Sequence, residues 1–331
     1  MNAVGASLWG RLLSWVDHPA PADDYWRLRR APQSRDETAR LHELLAPGKF
    51  DAGHTDASFK RVAHRIRASR ILFVPAVLSG IALKASRLRL IEYLTHQVRQ
   101  LRDEGFEADI AQIDTGATVA HNADRLAEII VAHHRPTWVV THSKGGLDFL
   151  HMLVTHPEAV RFIDGWLSFQ APFLGSPIAD VASGGSRARK ISGAALKVLG
   201  ADLAAIEDLR TDRRAHYMDE HAARIARLAD EMAIMCVATT SGSSLLKPSL
   251  APDWPTGRWM DGLGLKNDGM VPVNSAMLPG ARHVMLESLG HGEVATRHIL
   301  SNRKFEQVDL LKALFAVTLG AGSGAVRGVA A

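Results

Sequence analysis

The chain has 331 residues, of which 47% are hydrophobic and 22% charged, with a formal net charge of +4. This mixture belongs to a packed globular protein rather than a disordered one, and a small positive excess without a dense Lys/Arg tract argues against nucleic-acid binding. A single cysteine, Cys236, rules out an intramolecular disulfide and a cysteine-based metal cluster, and no apolar run approaches the roughly 18 residues needed to span a bilayer.

In chain order, Leu8, Leu12, Trp15 and Val16 recur at helical spacing with Trp9 and Leu13 beside them, so a short amphipathic helix is predicted over the first 17 residues. Its two tryptophans allow peripheral membrane contact through the N-terminal segment; packing on its own domain is the plainer alternative. Arg11 splits the apolar part, and Asp17, His18 and Pro19 end it, so the segment lacks the pattern of a secretion signal. Together with the lone cysteine, this suggests a cytoplasmic protein. Residues from Pro19 to about Lys49 are polar and proline-punctuated, as in an extended wrapping segment. Lys60, Arg61, His64, Arg65, Arg67 and Arg70 are basic, but Phe59, Val62 and Ile66 supply an ordinary apolar helix side, so a solvated face is expected.

The middle of the chain alternates strand-like with helix-like segments. Strands are predicted at Ile71–Pro75, Ala108–Ile113, Thr137–Thr141 and Gly165–Gln170, with helices at Leu88–Glu104, His121–His134 and Gly145–Thr155. Strands joined by helices through short links predict βαβ units and a mainly parallel sheet flanked by helices. After Pro177 the composition turns to Ala, Leu, Arg and Asp, which predicts a helical cap insertion over residues 178–231. The sheet is expected to resume at Met232–Thr239 and His283–Glu287, followed by a helix over Lys304–Thr318. The expected division is an N-terminal segment 1–69, an α/β core 70–177 and 232–318, the cap 178–231 and a tail 319–331.

Chemistry concentrates in Thr141-His142-Ser143-Lys144-Gly145-Gly146, directly after Trp138-Val139-Val140. A serine between a buried strand and a helix, with small neighbours, is the pattern of a nucleophile elbow, in which a tight turn lifts the hydroxyl above the sheet. A serine hydroxyl needs a histidine to accept its proton and an acid to orient that histidine. In chain order after the serine, Asn267-Asp268-Gly269-Met270-Val271-Pro272 offers an aspartate in a turn-rich loop. Leu289-Gly290-His291-Gly292-Glu293 then offers a histidine in a glycine-flanked loop after a strand, where the glycines are expected to permit close approach to Ser143. His283, at a strand start, and His298, in an expected helix, fit less well, and Asp261 is a rival to Asp268. The oxyanion of a tetrahedral intermediate calls for two backbone N–H groups. These are expected from Lys144 and from the loop after the first central strand, at Val77, with Ala76 and Leu78 as alternatives. Neither metal nor organic cofactor is required.

On His142-Ser143-Lys144-Gly145-Gly146, Ala171-Pro172-Phe173-Leu174-Gly175-Ser176-Pro177, Asn267-Asp268-Gly269-Met270-Val271-Pro272 and Gly290-His291, the chain resembles the α/β-hydrolase superfamily and, within it, the lipase and esterase branch. The resemblance spans roughly residues 70–318. It implies an α/β-hydrolase fold, hydrolysis of carboxylic esters through an acyl-serine, Ser143 as nucleophile, His291 as base, and Asp268 rather than Asp261 as acid. Two departures stand out: Thr141 occupies the place of the first elbow glycine, and Pro75-Ala76 the place of a common His-Gly pair. An ester with an apolar acyl group is the expected substrate. An acyltransferase using the same acyl-serine and an inactive binding or membrane-associated module on the same scaffold are the alternatives. Trp254 and Trp259 are expected at the join of cap and core or at the pocket entrance.

Overall fold

The computed structural model describes residues 25–45, 52–77, 91–184, 203–241, 254–298 and 306–320. The helix expected over the first 17 residues, Leu78, and the tail beyond residue 320 lie outside these. The strands are β1 Arg35–Asp36, β2 Arg70–Val74, β3 Ile91–Tyr93, β4 Ala108–Ile110, β5 Thr137–His142, β6 Ile163–Phe169, β7 Ala233–Thr240, β8 Arg282–Glu287 and β9 Thr296–His298. The helices used below are α1 Trp26–Arg29, α2 Thr38–Leu45, α3 Ala52–Arg67, α4 Thr95–Asp103, α5 Val119–His133, α6 Lys144–Thr155, α7 Pro177–Ser183, α8 Thr211–Glu220, α9 Ala222–Glu231, α10 Trp254–Gly262 and α11 Gln307–Gly320.

Seven strands form one sheet in the order β1-β8-β7-β6-β5-β2-β4, and every neighbouring pair is parallel. The reason lies in the side chains. β2 and β5 are buried at every residue, as expected when helices cover both faces of a parallel sheet. Alternate residues divide cleanly between the faces. Ile71, Phe73, Trp138, Val140, Leu167, Phe169, Met235 and Val237 join the cluster covered by α2, α3, α4 and α11. Leu72, Val74, Val139, Trp166, Ile234 and Cys236 join the opposite cluster, covered by α5, α6 and α9.

Several boundaries differ from the sequence reading. The helix expected over Leu88–Glu104 is, within the described part, strand β3 followed by α4 from Thr95. The residues 91–93 pair antiparallel with β9, where Tyr93 faces Thr296, and this contact is too distant in sequence for a local pattern to register. For the same reason His298 sits on a strand and not on a helix. The polar segment before residue 49 is not merely extended: Thr38–Leu45 is helical and buries Leu41 and Leu45, while Arg35–Asp36 adds an edge strand to β8. Within the stretch 178–231, α9 does not stand apart from the core, because Ile225 and Leu228 enter the cluster on the sheet face. The last helix runs to Gly320 rather than ending at Thr318.

Candidate active site

The site lies at the carboxyl ends of the central strands, where parallel α/β sheets place their ligands. β5 ends at His142 and α6 begins at Lys144, leaving Ser143 to make the turn alone. Ser143 has φ 54° and ψ −126°, a left-handed strain that a non-glycine residue holds only when its surroundings enforce it. Its side chain makes no cap on α6. The hydroxyl instead lies 2.9 Å from His291 Nε2, so a helix-capping role does not account for it.

The sharp turn brings the start of α6 against the end of β2. A Cβ on Gly145 would sit 2.6 Å from Pro75 O and 2.7 Å from Val74 O, so only glycine permits this approach. The other expected small position behaves differently. Thr141 is fully buried, and its Oγ1 accepts a hydrogen bond from Trp166 Nε1–H at 2.9 Å. The hydroxyl satisfies a core indole, which explains how this chain holds a threonine where the related motif has glycine. Gly292, beside His291, also has room: its nearest contact for a Cβ would be Thr296 Oγ1 at 3.7 Å. Close approach of the His291 loop therefore does not depend on that glycine.

Asp268 is buried, in the loop between α10 and β8. Its Oδ2 lies 2.9 Å from His291 Nδ1, and its Oδ1 accepts from Met270 N–H at 2.9 Å and Val271 N–H at 2.8 Å. The His291 backbone N–H donates to Asp268 O at 2.9 Å, which ties the two loops together. Ser143, His291 and Asp268 thus form one continuous line of contacts. The rival Asp261 does not join it. At the end of α10, its Oδ1 accepts from Asn267 Nδ2, which also donates to Gly257 O and Leu265 O, while Asn267 Oδ1 accepts from Gly269 N–H. Asp261 therefore serves the loop that carries Asp268. Of the rival histidines, His283 faces Ser34 Oγ at 3.0 Å and Asp36 at the β1–β8 edge.

Lys144 follows Ser143 directly, and Val77 comes two residues after Pro75, whose carbonyl meets Gly145. The Lys144 side chain points away into the core, where Nζ donates to Asp148 Oδ1 at 2.7 Å and Asn122 Nδ2 holds the other carboxylate oxygen at 2.9 Å. Burial outweighs the lysine charge and pushes the Asp148 carboxyl up to about 6. The backbone N–H of Lys144 stands in the first turn of α6, where amides lack helical partners. The Val77 amide donates no hydrogen bond to a described residue, whereas Ala76 N–H donates to Tyr93 Oη. Trp259 is half-buried and packs on the cluster of Tyr25, Leu28, Ile178, Met260, Leu263 and Leu265, which brings α1, α7 and α10 together.

The sequence reading did not identify Tyr93, Gln170 and the inward role of His142. His142 offered a signal: it is a polar residue in a strand whose every position is buried. Tyr93 offered none, because its segment reads as a helix. Among the described residues no group of three His, Cys, Asp or Glu side chains could hold a metal ion, and no helix is long and apolar enough to cross a membrane.

No family model matches the chain, and no curated protein matches it. Solved structures do. The metagenomic carboxyl esterase MGS0156 superposes with a TM-score of 0.63 at 16% identity, over 92% of this chain and 97% of that one. The mature lipase BlEst2 of Bacillus licheniformis matches at 0.52 and 21% identity, over 69% of this chain and 86% of its own. EstA of Clostridium botulinum matches at 0.50 and 13% identity, over 90% and 97%. With its parallel seven-stranded sheet, flanking helices and strand-turn-helix at Ser143, the chain has the α/β-hydrolase fold.

Proposed function

We propose that this protein is a serine hydrolase of carboxylic esters that works through an acyl-serine intermediate. The observation that carries the reading is the unbroken contact line Asp268 Oδ2, His291 Nδ1, His291 Nε2, Ser143 Oγ, with both links at 2.9 Å. The fold it shares with a carboxyl esterase and a lipase supports the same class.

In this mechanism Ser143 Oγ attacks the ester carbonyl carbon as its proton passes to His291 Nε2. Asp268 holds the Nδ1 proton, fixes the tautomer and stabilises the imidazolium. Two backbone amides on its carboxylate keep Asp268 in place. The negative charge on the former carbonyl oxygen is taken up by the N–H groups of Lys144 and Val77, which lie on either side of the Gly145–Pro75 approach. His291 then donates its proton to the leaving alcohol. A water, deprotonated by the same imidazole, attacks the acyl-serine, releases the carboxylic acid and restores Ser143. The reading extends to an ester with an apolar acyl group, a roof contributed by the helices after β6, and a cytoplasmic location suited to a lone buried Cys236.

The test is hydrolysis of p-nitrophenyl esters of short to long acyl chains by wild type, Ser143→Ala, His291→Ala and Asp268→Ala. Loss of activity on the order of 10³ or more for the first two variants, with the fold retained, is expected. Inert wild type across the whole series would overturn the reading.

A further inference from the structure

We propose that Tyr93 and His142 are positioning residues that fix the loop after β2 and the His291 loop on either side of Ser143 through one buried, unidirectional chain of hydrogen bonds; the inference rests on the ester-hydrolase reading. The chain starts at Ala76 N–H, which donates to Tyr93 Oη at 2.8 Å. Tyr93 Oη lies 3.0 Å from His142 Nδ1, and His142 Nε2 lies 3.2 Å from Gln170 Oε1. Gln170 Nε2 donates to Gly290 O at 3.2 Å, next to His291, and to Thr239 Oγ1.

The two ends have fixed roles, since an amide N–H can only donate and a carbonyl can only accept. Gly290 O draws the nitrogen of the Gln170 amide, which turns Oε1 toward His142. His142 must then carry its proton on Nε2. Its Nδ1 is left to accept the Tyr93 hydroxyl proton, and the Tyr93 oxygen is left to accept from Ala76. Reversing any link sets like against like: two acceptors meet at Gly290 O or at Gln170 Oε1, or two donors meet at the Ala76 N–H. All three side chains are buried, where a polar group left without its hydrogen bond pays its full desolvation penalty.

The placement gives the chain its consequence. It holds the Ala76 amide on Tyr93, so the next amide, that of Val77, is the one left to face an oxyanion. Tyr93 ends β3, and β3 is held by β9, which follows the His291 loop. His142 also tilts against the His291 ring, with centroids 5.2 Å apart. A proton on it would repel the imidazolium formed during acyl transfer, and burial keeps that proton off by lowering the His142 pKa to about 3.

Tyr93→Phe keeps the ring and removes the link. We expect kcat and kcat/KM for p-nitrophenyl butyrate to fall together by about 10- to 100-fold with KM nearly unchanged, part of the 10²–10³ lost with an entire oxyanion donor. Affinity for an alkyl trifluoromethyl ketone, whose adduct with Ser143 carries the oxyanion, falls by the same factor. Unchanged kcat/KM and ketone affinity in a folded variant overturn the proposal. Nitrogen NMR and amide exchange on the wild-type chain decide the matter even where Tyr93→Phe does not fold. A His142 neutral at pH 6 with its proton on Nε2, and a protected Ala76 amide, support the chain; a proton on Nδ1 or an unprotected Ala76 amide overturns it. Wild type that cleaves no ester and binds no ketone brings down the hydrolase reading, and the positioning role with it, even if NMR finds the chain intact.

Discussion

Gly145→Ala puts one methyl group where the elbow leaves no room. The added carbon would meet Pro75 O at 2.6 Å and Val74 O at 2.7 Å, both backbone atoms at the end of β2. No side chain can rotate away, so either the start of α6 or the loop after β2 must retreat by several tenths of an ångström. The first carries the Lys144 amide and the second the Val77 amide. Displacing such groups by about 1 Å can cost on the order of 10²-fold in rate, and overpacking a tight site costs typically about 1–3 kcal/mol of stability. The expected outcome is a kcat for p-nitrophenyl butyrate reduced by about 10- to 100-fold, with KM changed little and Tm lowered by several degrees. Gly292→Ala is the control, because its methyl would meet nothing closer than Thr296 Oγ1 at 3.7 Å, and its kcat should stay within about threefold of wild type. Steady-state kinetics and thermal unfolding by circular dichroism read both quantities. A Gly145→Ala protein as active and as stable as wild type would refute the packing argument and the place given to the oxyanion donors.

Three further outcomes follow from the same geometry. Asp261→Ala should retain far more activity than Asp268→Ala, with a loss within about tenfold against 10³ or more in kcat, since Asp261 reaches the site only through Asn267; equal losses on p-nitrophenyl butyrate would reverse the assignment. Thr141→Gly restores the commoner elbow glycine yet should destabilise the protein by about 1–3 kcal/mol in urea unfolding, because it strands the buried Trp166 indole N–H; a stabilised variant would contradict this. The Asp148 carboxyl, lifted by burial to about 6 in the folded chain against about 3.9 unfolded, takes up its proton first in the native state, so its contribution to stability grows as pH falls from 7 toward 4 and is lost as pH rises through 6. Asp148→Asn removes that contribution, and urea midpoints at pH 5 and pH 7 should then differ less favourably toward pH 5 than in wild type; an identical pH dependence would show that Asp148 does not titrate there.

The legible parts of the fold were those written locally. Trp138-Val139-Val140 is an apolar run that leads through Thr141 and His142 to Ser143 and a glycine-containing helix, so strand, turn and candidate nucleophile could be read together. The loops of Asp268 and His291 declared themselves by their turn residues and chain order, although choosing Asp268 over Asp261 drew on resemblance. What stayed hidden depends on partners far apart in sequence. β3 exists because β9 pairs with it, and the two-residue β1 because β8 does, so neither carries a pattern of its own. Ile225 and Leu228 have the spacing of any amphipathic helix; whether such a helix caps the site or flanks the sheet is decided by the cluster it meets. The hydrogen-bond line from Ala76 to Gly290 crosses five segments, and only His142 in a fully buried strand hinted at it.

The proposed chemistry requires that Ser143 be a nucleophile activated by His291. It is tested most directly by reacting the intact protein with an alkyl fluorophosphonate and locating the adduct by peptide mass spectrometry. One adduct per chain is expected on the Ser143 hydroxyl in wild type, none in Ser143→Ala, and labelling slowed by about 10³ or more in His291→Ala. Folded wild type that takes up no label, or takes it up at a residue other than Ser143, would contradict it.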